Sequence, residues 1–332
     1  MHNLKTRRTF LQQLTFLACS ASGMTLFKNH LQPLSIHRIG YFSGVGYPQL
    51  EAAFIEELLK LGFSEGQNIF IERKFSRPNT TDTITMAAEL SKMDLTLIFV
   101  AALPLALEVR KVNPAMPMVI GTCPGMVSNG FAQSLEHPGG IYTGMDELPK
   151  GVTSKRIQLL KTAAPDVTRI ALLSTTPGRG GHETQLSETE KTAGELGIEV
   201  KPYRAASLVE IEKALANIVT DGMNGIQSFQ GGLALSNRKL IVDFAAQHRI
   251  PAIYQATLFA EAGGLMAWAP DLVQQFREAA HFVEKILKGA KPGDLPIKQP
   301  ANYYLTVNTS AAKKIGLTFP QELIAQATQV LP

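Results

Sequence analysis

From residue 38 onward, short apolar runs alternate with longer segments in which apolar residues recur three or four positions apart. The run Arg38–Ser43, for example, is followed by an apolar stripe at helical spacing that ends at Gly62. Alternation of this kind is the pattern of parallel strands connected by helices that cover the sheet. It restricts the chain to the α/β class before any motif is considered.

The predicted strands fall into two successive series that meet near Pro149. The strands of the first series are Arg38–Ser43, Ile69–Arg73, Leu95–Val100, Met118–Thr122 and Tyr142–Met145. Those of the second series are Arg169–Leu173, Glu199–Tyr203, Gly225–Phe229 and Pro251–Tyr254. Each series is interleaved with helical segments, among them Val152–Ala163. Two such series predict two similar, doubly wound parallel-sheet lobes.

The stretch from Ile250 to Pro296 gives the connection between the lobes. A strand ending at Tyr254 leads through Gly263-Gly264 into a second apolar run, and Asp271 then stands at the start of an amphipathic helix. We interpret this stretch as the chain crossing from one lobe back into the other. Lobe 1 is accordingly predicted as residues 36–147 plus 265–298, and lobe 2 as 148–264 plus 299–332, with a ligand cleft between them.

The basic surplus of the chain lies at its N-terminus. The formal net charge is +4, and residues 1–35 contain four basic residues and no acid, so the remainder is neutral overall. A nucleic-acid-binding surface therefore has no support. The sequence Thr6–Leu11 contains an arginine pair, and the apolar segment Leu14–Leu26 that follows is too short and too polar to span a membrane. Residues 1–35 are thus predicted to be a twin-arginine-like export signal, which implies a periplasmic or otherwise extracytoplasmic protein.

The sequence contains two cysteines, and a different role is predicted for each. Cys19 lies within the predicted signal, where lipid attachment is the less favoured alternative because Phe16 occupies a position that is usually small and aliphatic. Cys123 is the other cysteine, so no intrachain disulfide is expected.

Two motifs that are typical of enzymes are present, but each lacks a structural feature that the enzyme site requires. Gly62–Gly66 matches the G-x-S-x-G pattern of serine hydrolases, but a helix precedes it and a strand follows, the reverse of a nucleophile elbow. Gly44-Val45-Gly46 begins a dinucleotide fingerprint whose third glycine is replaced by Gln49. The seven histidines are scattered without metal-ligand spacing. The sequence therefore predicts neither an enzyme nor a cofactor or metal site.

Parallel sheets bind ligands beyond the carboxyl ends of their strands. The loop Ser174–Gly181 is informative here, because hydroxyls, glycines and Arg179 precede a helix and are suited to holding a carboxylate or phosphate. A solvated loop with an exposed arginine is an equally acceptable interpretation. The same ambiguity between ligand contact and packing applies to Tyr254 and Trp268.

Several segments together resemble the ABC-importer solute-binding family that includes tryptophan- and tyrosine-binding proteins. These segments are Gly40–Ser43, Leu61–Ile69, His137–Gly140, Thr143-Gly144, Ile250–Tyr254, Glu261–Met266 and Ile286–Pro292. The resemblance implies a type I periplasmic binding protein, in which two lobes joined by three crossovers close on a small solute and present it to a permease.

The chain departs from that family in its ligand loops. Ala102-Leu103-Pro104 stands where Gly-Thr-Pro is usual, and Pro124-Gly125-Met126 stands where many members have Gly-Asp-Pro. An aspartate there would suit a ligand's ammonium group. Its absence leads to the hypothesis of a less cationic solute that is aromatic, heterocyclic or anionic.

The sequence thus predicts a monomeric, non-enzymatic solute-binding protein whose partners are a small molecule and an inner-membrane ABC permease. A ligand sensor for a membrane receptor is the alternative, and an α/β enzyme is a weaker one. The residues predicted to bind the ligand lie at strand ends or at the crossover between the lobes. They are Ser43, Gly44, Ala102, Leu103, Thr122, Cys123, Thr175, Thr176, Arg179, Gln230, Tyr254 and Trp268.

Overall fold

The computed structural model describes residues 36–76, 81–175, 180–229 and 231–332. The predicted export signal, including Cys19, lies outside these residues. The described residues form two sheets, of five and seven strands, each packed between helices. This arrangement confirms the predicted α/β class with two parallel-sheet lobes.

The first lobe contains a five-stranded, entirely parallel sheet with the order β2-β1-β3-β4-β5. Its strands are β1 (His37–Gly44), β2 (Ile69–Ser76), β3 (Leu97–Val100), β4 (Met118–Cys123) and β5 (Tyr142–Asp146). Its connecting helices are α1 (Pro48–Lys60), α2 (Thr81–Ser91) and α3 (Leu103–Val112). β5 forms one edge of the sheet. Gly144 is required in β5 because a Cβ there would lie 2.1 Å from the carbonyl oxygen of Ile120.

The second lobe contains a seven-stranded sheet with the order β12-β11-β10-β9-β8-β6-β7, in which only the β10–β11 pair is antiparallel. Its strands are β6 (Arg169–Ser174), β7 (Glu199–Arg204), β8 (Gly225–Ser228), β9 (Ala252–Tyr254), β10 (Met266–Ala269), β11 (Tyr304–Asn308) and β12 (Gln329–Leu331). The helices that follow α3 in the chain are α4 (Val152–Ala163), α5 (Gly180–Glu195), α6 (Leu208–Thr220), α7 (Gly232–Ser236), α8 (Arg238–Gln247), α9 (Thr257–Glu261), α10 (Leu272–Leu287), α11 (Thr309–Lys314) and α12 (Gln321–Gln326), with a 3₁₀ turn at Pro292–Asp294.

Two helices begin at side-chain caps, one of which, Asp271, is predicted from the sequence. Ser207 Oγ accepts a hydrogen bond from the backbone N–H of Glu210 at 3.3 Å, and Glu210 Oε2 accepts one from Ala206 N–H at 2.8 Å, which completes a reciprocal capping arrangement for α6. At the start of α10, Asp271 Oδ1 accepts from Gln274 N–H at 3.1 Å. These bonds satisfy helix donors that would otherwise have no intrahelical partner.

Helix α10 belongs to the first lobe, although it follows a strand of the second. Its Phe276 ring lies 5.3 Å from the ring of Phe99, which in turn stacks on Tyr41 at 5.1 Å and on Phe54 at 4.4 Å. All four side chains are buried. This aromatic cluster joins α10 and α1 to the first sheet and forms the core nearest the cleft.

The predicted lobe boundary at residue 265 is wrong by a few residues. Residues 266–269 form β10, in which Met266 pairs with Ile253 on one side and with Val307 on the other, so they belong to the second sheet. The crossing instead occurs at Pro270 and Asp271, between β10 and α10. Apolar periodicity identifies a strand but does not say which sheet it joins. Among the described residues, the chain crosses between the lobes near residues 148–151, at 270–271 and after 298.

The helical segment after β8 is divided into α7 and α8. Asn237 ends α7 and precedes α8, and its Nδ2 donates to the carbonyl oxygen of Leu233 at 2.8 Å. Asparagine competes with helical backbone bonding in this way.

Candidate ligand cleft

A cleft of about 850 Å³ lies between the lobes, with part of its volume open to solvent. Its walls are built from residues beyond the carboxyl ends of strands in both sheets, as the topology of parallel sheets requires. The described lining residues are mostly apolar or small. They are Ser43, Gly44, Tyr47, Leu50, Ala101, Ala102, Leu103, Pro104, Leu105, Thr122, Pro124, Glu147, Gly231, Gly232, Leu235, Ser236, Gln255, Ala256, Leu272 and Phe276.

Five of the predicted ligand residues line this cleft. Ser43 and Gly44 end β1, Ala102 and Leu103 begin α3, and Thr122 lies near the end of β4. The Thr122 hydroxyl donates to the carbonyl oxygen of Ala101 at 2.9 Å, so its hydrogen is already used within the lobe. The strand-end rule therefore located the first-lobe wall correctly.

Four other predicted residues lie away from the cleft lining. Cys123 is completely buried in the first lobe, and burial raises the pKa of its thiol. Tyr254 stacks on Phe259 in the core of the second lobe, with 4.7 Å between ring centroids. Trp268 stacks on Tyr303 instead of facing the cleft. These three side chains serve packing because alternate residues of a strand point to opposite faces.

Thr175, the fourth, has a structural role at the end of β6. It is 1% exposed, and its Oγ1 accepts a hydrogen bond from the backbone N–H of Ala234 at 3.2 Å, which ties β6 to α7. Thr176, Arg179 and Gln230 lie outside the described residues.

Sequence reasoning missed a second group of lining residues because they lie on helices or one position past a strand. Tyr47 and Leu50 come from the start of α1, and Leu272 and Phe276 come from the first turns of α10. Gln255 directly follows β9 and was missed in favour of its neighbour Tyr254. The end of β9 could have indicated Gln255 as a cleft residue, because Gln255 is the first residue after that strand.

Glu147 is the one charged side chain in the described lining of the cleft. It follows β5 and is 7% exposed. Its Oε1 accepts a hydrogen bond from Gln275 Nε2 at 3.3 Å. Burial raises the pKa of Glu147 to about 7, although the Gln275 hydrogen bond and the charge of Arg156 act in the opposite direction. Glu147 was not among the predicted ligand residues, and it lies on a different loop from Pro124–Met126, where the family's aspartate is absent.

The neighbouring carboxylate, Asp146, has a different environment. Its side chain accepts from three backbone N–H groups, those of Gly125 at 3.2 Å, Met126 at 2.8 Å and Leu148 at 2.9 Å. Asp146 thereby fixes the loop after β4, including Pro124, which lines the cleft. It is structural, whereas Glu147 faces the cavity.

The lobes contact each other beside the cleft. A Cβ built on Gly125 of the first lobe would lie 3.4 Å from the Cα of Gly181, which belongs to α5 of the second lobe. Elsewhere, the guanidinium of Arg238 on α8 lies 5.8 Å from the centroid of the Tyr47 ring. Close backbone contact between the lobes means that the structure shows the cleft in a closed form.

Comparisons with known proteins agree with this architecture. A sequence model described as ABC transporter substrate binding protein matches residues 42–331. A tyrosine-binding protein of Clostridioides difficile is 22% identical over 282 residues, which cover 84% of this chain and 81% of that protein.

Two solved structures share the fold. One is an ABC domain from Streptococcus pneumonia in complex with L-Trp, with a TM-score of 0.82 and 23% identity over 90% of this chain and 100% of that one. The other is a ligand-free, open substrate-binding protein with adhesive properties from Clostridium difficile, with a TM-score of 0.63 and 22% identity over 89% and 99%. Since the family model spans most of the sequence, the chain belongs to the ABC transporter substrate-binding protein family.

Proposed function

We propose that this protein captures a small solute outside the cytoplasm by closure of its two lobes and delivers it to an ABC permease. The observation that carries this proposal is the cleft itself, whose walls come from both lobes and from α10. A ligand held between two lobes contacts both of them only in the closed form. It therefore stabilises that form by its differential contacts.

The lining supports a solute with an apolar, aromatic or heterocyclic body. Leu50, Leu103, Leu272 and Phe276 supply apolar surface, and few polar groups converge on the same space. The names of two relatives point the same way, since one is a tyrosine-binding protein and another was solved with L-Trp. The hypothesis of an anionic solute is weakened, because Glu147 places an acid in the cleft although the loop Pro124–Met126 lacks the family's aspartate.

We further propose that residues 1–35 direct export and that the mature protein is a monomer. Among the described residues, no helix is both long and apolar enough to cross a membrane. Size-exclusion chromatography with light scattering on the protein purified from the periplasm tests both statements, since the measured mass reports cleavage and oligomeric state together.

A thermal-shift screen tests the capture of a solute. The mature protein is screened against amino acids, aromatic amines, aromatic acids, nucleobases and small heterocycles, and a ligand that binds only the folded state raises the melting temperature. Small-angle scattering with the best solute then reports whether the lobes close. A complete absence of binding across the library, or binding without any change in dimensions, would contradict the proposal.

A further inference from the structure

Tyr47 connects the cleft wall of the first lobe with the second lobe. It immediately precedes α1, and its carbonyl oxygen accepts hydrogen bonds from the backbone N–H groups of Leu50 at 3.1 Å and Glu51 at 3.4 Å. Its ring packs over Gly44, where a Cβ would lie 3.2 Å from the ring carbon Cε2. The loop after β1 therefore holds this ring in place at the edge of the cleft.

Arg238 reaches the same ring from the second lobe. Its Nη1 donates to the carbonyl oxygen of Leu235 at 3.1 Å, and its guanidinium carbon lies 5.8 Å from the centroid of the Tyr47 ring. A guanidinium at this distance from an aromatic ring is within the range of cation–π attraction. Arg238 is the first residue of α8, directly after the break at Asn237, and it lies outside the described lining of the cleft.

The hydroxyl of Tyr47 is enclosed where the two lobes meet. Among the described residues it has no hydrogen-bond partner with good geometry. Burial raises the pKa of this hydroxyl, whereas Ser236 and the positive charge of Arg238 act in the opposite direction. Both of these residues belong to the second lobe. A side chain of the first lobe thus has its electrostatic environment set by the second lobe, which requires a closed cleft.

Opening of the cleft separates Tyr47 from Arg238, because the two residues lie on different lobes and neither belongs to a crossover. Resting on the proposed function, we propose that Tyr47 and Arg238 form a latch that favours the closed form with or without solute and slows the release of a bound solute. The pair stabilises the closed form alone, so it shifts the equilibrium between the open and closed forms. Arg238 is a positioning residue in this latch, since it acts on the cleft through Tyr47.

The expected effect follows from the strength of a cation–π pair. At a partly exposed site such a pair changes an equilibrium by about two- to fivefold. Arg238→Gln removes the charge and keeps a polar side chain at the surface. We therefore expect this variant to weaken affinity for the best solute of the screen about threefold. The change should appear in the dissociation rate, because the latch forms only after the solute has entered.

A double-mutant cycle separates the latch from the cleft wall. Tyr47→Leu removes both the latch and a lining side chain, so it is expected to weaken affinity more than Arg238→Gln does. In the Tyr47→Leu background, Arg238→Gln should have no further effect, because the ring that it contacts is already gone. Lys239→Gln is the matched control, since Lys239 carries the same charge on the same helix but pairs with Asp243. Stopped-flow dissociation of the best solute is measured for each variant.

A measurement without solute tests the latch independently of the capture function. Spin labels are attached to cysteines that replace one exposed residue on each lobe, Lys111 on α3 and Lys213 on α6. The distance distribution between the labels reports the ratio of open to closed molecules. We expect Arg238→Gln to raise this ratio about two- to fivefold, and Lys239→Gln to leave it unchanged.

Three results would overturn the latch. They are an Arg238→Gln variant that releases solute as slowly as Lys239→Gln, a cycle in which the effects of Tyr47→Leu and Arg238→Gln add, and a distance distribution that Arg238→Gln does not change. Each of them leaves the proposed capture of a solute intact. By contrast, a screen in which no solute binds counts against the capture function, and the spin labels then still decide whether the latch exists.

Discussion

Replacing Gly181 with alanine tests closure separately from folding. Gly181 lies in the first turn of α5, and a Cβ at that position would lie 2.0 Å from the carbonyl oxygen of Pro124 in the other lobe. Ordinary contacts between carbon and its neighbours begin near 3.5 Å, so the two backbones must separate by roughly 1.5 Å. Because the obstruction is backbone, no side-chain rotation relieves it.

The cost of this clash falls on the closed form alone. Overpacking by one methyl group costs about 1–3 kcal/mol. That penalty corresponds to an affinity weaker by about 5- to 150-fold if the solute binds only the closed form. In the open form the same methyl group meets no opposing lobe, so the free energy of unfolding of the ligand-free protein is expected to stay within about 1 kcal/mol of the wild type.

Gly194 provides a matched control on the same helix. A Cβ there meets nothing within 4 Å, so Gly194→Ala should leave affinity unchanged and stabilise α5 by up to about 1 kcal/mol. Calorimetric titration with the best solute of the screen measures affinity, and urea unfolding measures stability. If Gly181→Ala binds the solute as tightly as Gly194→Ala, the contact between Gly181 and Pro124 does not form in the bound state and the reasoning fails.

Three further changes test the interior contacts. Ser207→Ala removes the α6 cap and is expected to lower the free energy of unfolding by about 1 kcal/mol in urea, whereas no change would mean that the cap to Glu210 is replaced by water. Asp146→Asn weakens the three backbone hydrogen bonds to its side chain, so we expect the free energy of unfolding to fall by about 2 kcal/mol and the affinity for the solute to weaken. Neither change would occur if the loop after β4 kept its conformation without these bonds. The Cys123 thiol, which is buried and has a raised pKa, should react with a thiol reagent only as the protein unfolds; rapid labelling of the native protein would contradict this burial.

Much of the fold follows from local sequence because local interactions determine it. Helix α4 begins at Val152 and ends at Ala163, as predicted, and the caps at Ser207 and Asp271 form as their side chains indicate. The sheet to which β10 belongs cannot be predicted from its local sequence, because it depends on pairing with strands that lie earlier and later in the chain. The elements after residue 299 were not predicted for the same reason.

The cleft was predictable where a strand end alone places a residue in it, as at Ser43 and Thr122. The lining of the cleft was not predictable at positions where the direction of the side chain decides whether a residue faces the cleft. Tyr254 and Gln255 are adjacent, yet only Gln255 faces the cleft. Likewise, the sequence does not reveal that Asp146 turns back to the loop after β4 and leaves Glu147 as the acid that faces the ligand space.

The placement of α10 also has a consequence for biosynthesis. This helix covers the buried aromatic cluster of the first sheet through Phe276, but a ribosome must first translate all of residues 147–271. Until then, Phe54 and Phe99 lack part of their native cover, and transiently exposed apolar surface of this kind favours aggregation. A fragment that ends at residue 147 therefore omits an essential part of its own core. The nascent first lobe completes its folding only after most of the second lobe has been made.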